Sequence, residues 1–398
     1  MPVPGVTSSS LRRSYDVVIV GAGVQGLALA YELAKRGVAN VAVLERRYPG
    51  AGASGRNGEL IRSAFSSLEW CGLFNESLRR WESLSAELDF NVLFTPSGYL
   101  VVASTPEQLD RCRGDVTSQA AYGVRSSLVT EDEALEIAPC LNRDLVCGGV
   151  YQDRAGFAHH DAVVWAYSRA AARLGVHIHA NTTITAIDVE GGAVRGVRTN
   201  HGDVATAVVV NAAGAQARAI AAMAGVDLAT EACRLEIIVT ESVAPFLRPA
   251  LAVPELLGYC HQTGRGEFVG GTELPTPDNT ASLNGTYQLL LDMCEKFVRM
   301  IPSMAGVRLL RHWAGVVDQA ADLSPVLGPV RDLTGFILDC GWVYGFMGAP
   351  AAGALLAETI IEGNVPALLA PFSIDRLREG RLIKEGSLVV PPGEGIEK

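Results

Sequence analysis

No apolar run in the 398-residue sequence is long enough to cross a bilayer, which takes roughly 20 predominantly apolar residues. Basic tracts are missing too. Lysine and arginine total 33 against 43 aspartates and glutamates, a formal charge of −10. Nothing here would neutralise a run of phosphates, so a nucleic-acid partner is not expected. Cysteines are few. Cys71, Cys112, Cys140, Cys147, Cys233, Cys260, Cys294 and Cys340 include no C-x-x-C pair and none at zinc-ligand spacing with histidine, which argues against a zinc ribbon and a dithiol redox motif. Scattered thiols of this kind suit a reducing compartment, and a cytoplasmic protein is the expectation. No metal constellation and no Ser-His-Asp pattern stands out, nor does any internal repeat or low-complexity tract.

What is present is a long, glycine-rich globular chain. Its length exceeds one ordinary core and suits two domains. Hydrophobic residues make up 48% and charged residues 19%, as in a soluble fold. Arg12-Arg13 before an apolar stretch resembles a twin-arginine export signal. Gly21, Gly23 and Gly26 break that stretch into strand, turn and helix, so residues 1–13 read as a flexible leader.

The chain opens with a βαβ pattern. Tyr15 to Val20 reads as a buried strand, Val24 to Arg36 as a helix stopped at Gly37, and Asn40 to Glu45 as a second strand. Residues 46–67 form a loop rich in Gly, Ala, Ser and Arg. Helices are expected at Leu68 to Leu88, at Ala134 to Ala138 behind a Thr130/Glu133 capping box, and at Asp161 to Leu174 capped by Asp161. Two more are expected at Thr286 to Met300 and Ala349 to Ile361. Strands are expected around Gly98 to Ala103, His177 to Ala180, Ala186 to Val189, Ala207 to Val210, Leu309 to Val317 and Phe336 to Asp339, with short antiparallel strands from about 231 to 275. Dinucleotide-binding segments thus come in pieces, with a β-rich region between them.

Gly21-Ala22-Gly23-Val24-Gln25-Gly26 carries the chemistry. It follows a strand, opens a helix, and has Glu45 at the end of the next strand. In a dinucleotide site the first glycine makes the tight turn, the second admits the pyrophosphate, and the third packs helix on strand. The helix N-terminus stabilises the diphosphate, and the acid accepts a ribose hydroxyl. This pattern alone does not separate NAD from FAD. Two further segments favour FAD: the buried strand Val208 to Asn211 ending in Ala212-Ala213-Gly214, and the glycine-rich turn from Cys340 through Gly345-Phe346-Met347-Gly348 to Pro350.

With these segments in view, the chain resembles the D-amino-acid-oxidase-type superfamily of FAD amine oxidoreductases. Within it the chain is most similar to the beta subunit of heterotetrameric sarcosine oxidase and its relatives. The likeness also runs through Gly58-Glu59-Leu60-Ile61-Arg62-Ser63, Ala158-His159-His160-Asp161-Ala162-Val163, Tyr259 to Glu267, Arg311 to Gly315, Ser324 to Gly328 and Ala370 to Arg376. It implies an α/β fold: a Rossmann-like FAD-binding domain built from discontinuous segments, 14–90, 145–225 and 315–365, plus a β-rich α+β substrate domain, 91–144 and 226–314, and a C-terminal tail, 366–398, available for a subunit contact.

The implied activity is oxidation of a secondary amine or imino acid, sarcosine-like, proline-like or opine-like, with hydride transfer from the carbon beside nitrogen to FAD. An alpha-type partner subunit is implied. A single-chain FAD amine oxidase and a flavin-binding electron-transfer or scaffold subunit are the alternatives. Arg62 matches the arginine that clamps the substrate carboxylate. Two positions depart from the pattern. Met347 stands where typical sarcosine oxidases carry a lysine, and Glu59 stands where monomeric ones carry a base; an acid there would suit a cationic substrate group. Gly21, Gly23, Gln25, Gly26, Glu45, Arg46, Ser54, Asn57, Gly58, Ala213, Gly214, Gly345, Phe346 and Met347 are the expected FAD contacts. No cysteine lies near Val316-Val317, so the FAD is expected to be non-covalent.

Among the histidines, His177, His179 and His201 read as structural, while His261 and His312 are open. In the heterotetrameric relatives the histidine of the His-Asp-Ala-Val segment bonds covalently to a second flavin, FMN, between subunits. The resemblance puts His160 in that place. A helix N-terminus there favours the neutral ring and attracts a phosphate. The alternative is that His160 merely precedes a capping Asp161, and His159 beside it leaves the register open.

Overall fold

A computed structural model describes residue 6 and residues 10–272 and 282–386. The last residues of the expected 231–275 strand region and the tail beyond 386 lie outside them. The N-terminal strand Val17–Val20 is buried along its whole length. It pairs in parallel with Val41–Leu44 on one side and Val209–Asn211 on the other. The full sheet has six strands, ordered Val326–Pro329, Phe336–Cys340, Val209–Asn211, Val17–Val20, Val41–Leu44 and His177–His179, with only the first antiparallel to its neighbour. Continuous apolar strands are what a sheet covered on both faces requires.

Helices Val24–Lys35 and Gly345–Glu362 pack side by side on this sheet. They approach closely because Gly353 has no side chain; a Cβ there would stand 2.8 Å from the Ala28 backbone. The second large sheet has eight strands, ordered Leu309–Ala320, Thr230–Thr240, Phe268–Thr272, Gly258–Gln262, Ala250–Val253, Tyr99–Ala103, Gly148–Gln152 and Ser127–Thr130. Together the two sheets make the α/β fold with a Rossmann-like domain and a β-rich one.

Several boundaries differ from the sequence reading. Strands Gly148–Gln152 and Leu309–Ala320, which that reading places wholly or partly with the dinucleotide segments, pair in the eight-stranded sheet. The helix expected over Ala349 to Ile361 starts at Gly345, because its glycine-rich turn is already helical, and a further short helix, Asp375–Arg378, follows it. The helix Pro106–Ala121 was not anticipated; Thr105 caps it and Pro106 occupies its first turn, but only Gln119 is buried, so no apolar stripe announces it. Asp161 is not the cap of its helix. The helix runs His160–Arg173, with His159 in the N-cap position making no side-chain capping bond. The Thr130/Glu133 capping box is formed as expected. Among the described residues no helix is long and apolar enough to cross a membrane.

The C-terminal segment is locked to the body by a buried ion pair. Arg376, 1% exposed, donates through Nε and Nη2 to the two oxygens of Asp322 at 2.8 and 2.9 Å. It also donates to the carbonyls of Phe372 and Ser324. Removing one partner of a buried pair leaves the other charge uncompensated. Arg376→Ala is therefore expected to lower stability by roughly 3–5 kcal/mol, read as a lower urea midpoint; an unchanged midpoint would show the lock to be dispensable.

Candidate cofactor and active site

The turn after the first strand is shaped by its own glycines. Gly21 has φ +109, and a Cβ on it would stand 2.4 Å from the Ala212 carbonyl oxygen. A Cβ on Gly26 would stand 2.2 Å from the Gly21 carbonyl oxygen. Both glycines are thus demanded by the protein's own packing. Gly23 is different: its nearest neighbour would be the Ser54 hydroxyl oxygen at 3.0 Å. The demand for glycine there comes from what approaches the turn from the cavity side.

Glu45 is held at the end of its strand. Its Oε2 accepts from the Ala22 backbone N–H at 3.0 Å and its Oε1 from Arg47 N–H at 2.8 Å. Each oxygen keeps a lone pair for a ribose hydroxyl. Ser54 accepts from the N–H of Val24, and the Gln25 amide donates to the Gly345 carbonyl at 2.7 Å. That last bond joins the first and last dinucleotide segments. Asn57 closes the intervening loop, donating to the Ser54 carbonyl and accepting from Glu59 N–H.

A cavity of about 520 Å³ opens between the two sheets, in the size range of a cofactor site. Its wall contains Gly21, Gly23, Gln25, Glu45, Arg46, Ser54, Asn57, Gly58, Glu59, Arg62, Ala213, Gly214, Gly345, Phe346 and Met347. Two of the expected contacts are not in it. Gly26 lies beneath the turn, and His160 sits on the other side of Glu59. The wall also contains Val316, which the sequence reading placed near the flavin, Tyr259, which it gave only as part of a likeness, and Tyr99, Asp318 and Asp339, to which it gave no role. They arrive from strands far apart in the chain, and no local motif signals them.

Arg62 is 2% exposed. Its guanidinium lies 3.9 Å from the Phe65 ring centroid and 5.4 Å from that of Tyr99, and it donates to the Ala64 carbonyl at 2.5 Å. The stacking fixes the plane of the guanidinium and shields it from water, so its attraction for an anion is stronger than at a surface. Met347 is buried, and its carbonyl accepts from the Ser77 hydroxyl at 2.5 Å and the Trp81 indole at 2.9 Å. The preceding turn rests on Trp342, against which a Cβ on Gly345 or Gly348 would come within 2.8 Å.

Glu59 does not present a free acid to the cavity. It has φ +66 and is 6% exposed. Its Oε1 accepts from His160 Nδ1 at 2.6 Å and from the His160 backbone N–H at 3.1 Å, and its Oε2 lies 3.4 Å from His261 Nε2. Glu59 thus does the capping expected of Asp161. Burial alone would raise its pKa, but the bonds and charge of His160 and His261 outweigh that and hold it well below the usual carboxylate range. The other open histidine, His312, bonds Glu236 at 2.7 Å through Nε2, away from the cavity wall. His177 and His179 share the Tyr15 hydroxyl at 3.1 and 3.0 Å, a structural arrangement.

Two buried carboxyls titrate high. Burial pushes Asp318 up to about 6, against the pull of the Gly341 N–H and Thr230. Burial likewise pushes Asp339 up to about 7, opposed by the Trp342 indole, which donates to it at 2.8 Å.

The turn, the acid at the second strand and the cavity are those of an FAD-dependent oxidoreductase. The chain belongs to that family: the FAD dependent oxidoreductase model matches residues 16–359. Over 94% of both chains it is 36% identical to the sarcosine oxidase beta subunit of an Arthrobacter species, and it is 32% identical to that of Rhodobacter capsulatus over 94% of this chain and 91% of the relative. Among solved structures it is similar to L-proline dehydrogenase from P. horikoshii, with TM-score 0.90 and 29% identity, covering 94% of this chain and all of that one.

Two outcomes follow from this geometry. Gly26→Ala should destabilise the protein without any ligand present, whereas Gly23→Val should fold and lose bound FAD. Equal loss of folding in both, read by circular dichroism, would place the demand at Gly23 inside the protein. The raised carboxyls make stability fall as pH rises. Between the ordinary value of 3.8 and about 7 the unfolded Asp339 is ionised while the folded one keeps its proton, so each step up in pH favours unfolding. Asp339→Asn should flatten urea midpoints across that window; an unchanged slope would count against a buried, protonated Asp339.

Proposed function

We propose that this enzyme oxidises a small secondary amino acid bearing one carboxylate, at the carbon beside nitrogen, as the beta-type subunit of a hetero-oligomeric complex. The observation that carries the reading is Arg62, a buried guanidinium stacked in the wall of the cavity that the dinucleotide turn opens into. Bound FAD supplies the two-electron acceptor, held without a covalent link. The chain's own residues bind and orient. Gly23 and the N-terminus of helix Val24–Lys35 receive the diphosphate, Glu45 the ribose, and the turn Gly345 to Met347 borders the space for the ring.

Arg62 takes the substrate carboxylate and so fixes which carbon faces the cofactor. The other cations of the wall are Arg46, Arg47 and Arg56. The first two follow Glu45 directly in the chain, and Arg56 is tied to the carbonyls of Ala51 and Gly52. Met347, Leu235 and Ile237 give the wall an apolar side. A second carboxylate against that side would lose water without gaining a partner. N-methyl and cyclic amino acids carrying a single carboxylate fit this pattern; dicarboxylic opines do not. Glu59 is occupied by His160 and His261, which removes support for a cationic substrate group.

Assembly as a beta-type subunit is supported by the likeness to proteins named as such. The finer reading for His160 is attachment of FMN at the contact with the partner, passing electrons onward from the FAD. His160 suits that place: its side chain is 17% exposed, at the first residue of helix His160–Arg173, with Nδ1 already engaged.

Anaerobic mixing with sarcosine, proline and an opine should bleach the bound FAD with the first two and spare it with the third. Arg62→Ala should retain FAD absorbance and lose roughly 2–5 kcal/mol of substrate binding. Bleaching by none of a broad panel of amines would reject the oxidase reading in favour of a scaffold subunit.

A further inference from the structure

Two buried polar atoms of residues in the cofactor cavity wall have no hydrogen-bond partner: Asp339 Oδ2 and Gln25 Oε1. Asp339 is 1% exposed and Gln25 7%. Both side chains are grouped around Gly345. Gln25 Nε2 donates to the Gly345 carbonyl at 2.7 Å, which leaves the amide oxygen as the free end. The Trp342 indole donates to Asp339 Oδ1 at 2.8 Å. A Cβ on Gly345 would stand 2.8 Å from the Trp342 Cβ and 3.5 Å from Gln25 Nε2.

The sheet sets where this group lies. Strand Phe336–Cys340 pairs with Val209–Asn211, and that strand with Val17–Val20. Asp339 therefore stands near the carboxyl end of its strand, beside Ala212, whose carbonyl faces Gly21. Trp342 ties it on the other side to the turn at Gly345. With the diphosphate at Gly23 and the ring at Gly345 to Met347, the sugar-alcohol chain of FAD falls in this stretch. A buried acceptor and a buried acid without partners are unfavourable until a ligand supplies theirs. A hydroxyl supplies either, since it both donates and accepts.

We propose that Asp339 holds the flavin cofactor as a neutral carboxylic acid, donating its Oδ2–H to an oxygen between the diphosphate and the ring, while Gln25 Oε1 accepts from a hydroxyl of the same stretch. The inference rests on the placing of FAD given above and is independent of the amine oxidised. The surroundings keep the acid neutral. Among the described residues no cation draws it down, and burial pushes it up to about 7. Asp318, from strand Leu309–Ala320, is another acid, and its Oδ2 accepts from the Gly341 N–H at 2.7 Å. The Cys340 thiol is pushed well above its usual range by burial and by both acids, so it keeps its proton. Arg376, whose charge also reaches Cys340, is held by both oxygens of Asp322. Leu327, the partner of Asp339 across the sheet, does not titrate. A buried carboxylic acid kept protonated so that it can donate is known from enzyme active sites; here the recipient is a cofactor.

The sign of the pH dependence follows. The diphosphate is anionic, and an ionised Asp339 would be repelled by it and would have no proton to donate. FAD thus prefers the protonated protein, and its binding raises Asp339 further. Well below 7 the acid already carries its proton, and affinity is flat. Above about 7 a proton must be taken up as FAD binds, so affinity falls with rising pH, toward about tenfold per pH unit for one proton.

The test starts from the FAD-loaded full chain. Recovery of flavin fluorescence on dilution gives Kd at about pH 7 and about pH 8.5, above the range of Asp318, which burial brings up to about 6. Calorimetric titration of the same protein stripped with bromide, in two buffers of different ionisation enthalpy, counts the protons bound with FAD. Wild type should bind roughly 10-fold more weakly at the higher pH and take up about one proton there. Asp339→Asn keeps a donor that cannot ionise. It should hold FAD within about threefold of wild type at the lower pH, lose the pH dependence and take up no proton. Asp339→Leu should bind roughly 2- to 10-fold more weakly at both, again without a slope; if it does not fold, wild type and Asp339→Asn decide. A wild-type Kd that is flat or tightens with rising pH would overturn the proposal, as would a slope that survives in Asp339→Asn. Gly23→Val separates the two levels. FAD retained in that variant removes the placing of the cofactor and this proposal with it, whereas FAD lost there beside a flat wild-type profile removes the role of Asp339 alone.

Discussion

The close approach of backbone to backbone at Gly21 and Gly26 is the constraint on which the site depends. Any side chain at either place would overlap a carbonyl, of Ala212 in one case and of Gly21 in the other. With both bare, helix Val24–Lys35 begins directly at the end of strand Val17–Val20, beside Val209–Asn211. The N-terminus of that helix then faces the crevice outside the carboxyl ends of the strands, where an α/β sheet binds its ligand. The Gln25 bond to Gly345 extends the same geometry to the last segment. Gly353 lets the two helices touch along their length.

The second sheet supplies what the Rossmann part lacks. Its long edge pair, Thr230–Thr240 with Leu309–Ala320, brings Leu235, Ile237 and Val316 to the cavity. Tyr99 and Tyr259 come from two further strands. These residues are apolar or aromatic, so the cation that stands among them, Arg62, acts in a low-dielectric setting. Stacking on Phe65 holds it there. Orientation by one charge against an apolar wall suits chemistry that the cofactor performs and the protein only aims.

Glu59 gives the molecule a second face. The loop from Ser54 to Arg62 passes between the cavity and helix His160–Arg173, and Glu59 contributes to both sides of it. Its carboxylate caps that helix from 101 residues away. One residue thereby couples the position of the cofactor loop to that of His160. A shift of either should be felt by the other through a bond of 2.6 Å.

Much of this was legible from the sequence, for local reasons. Six residues between two buried strands identify a dinucleotide turn, because the chemistry of that turn is backbone chemistry and needs glycine at fixed spacing. The helix over 24–35, the Thr130 capping box and the placing of Arg62 are likewise local, or carried by a family pattern. The tertiary structure alone decided what meets at the site. Asp161 follows a histidine at a helix start and looks like its cap, yet Glu59 takes the backbone N–H, since strand Leu60–Ile61 pairs with Gly156–Phe157 and draws the acid alongside. Seen in sequence, Glu59 is an acid near a clamp arginine; folded, it is the partner of two histidines. The helix over 106–121 and the contributions of Tyr259, Asp318 and Asp339 were hidden for the same reason. A sequence records which groups are available and their local periodicity, whereas a shared cavity is made by strand order and register across hundreds of residues.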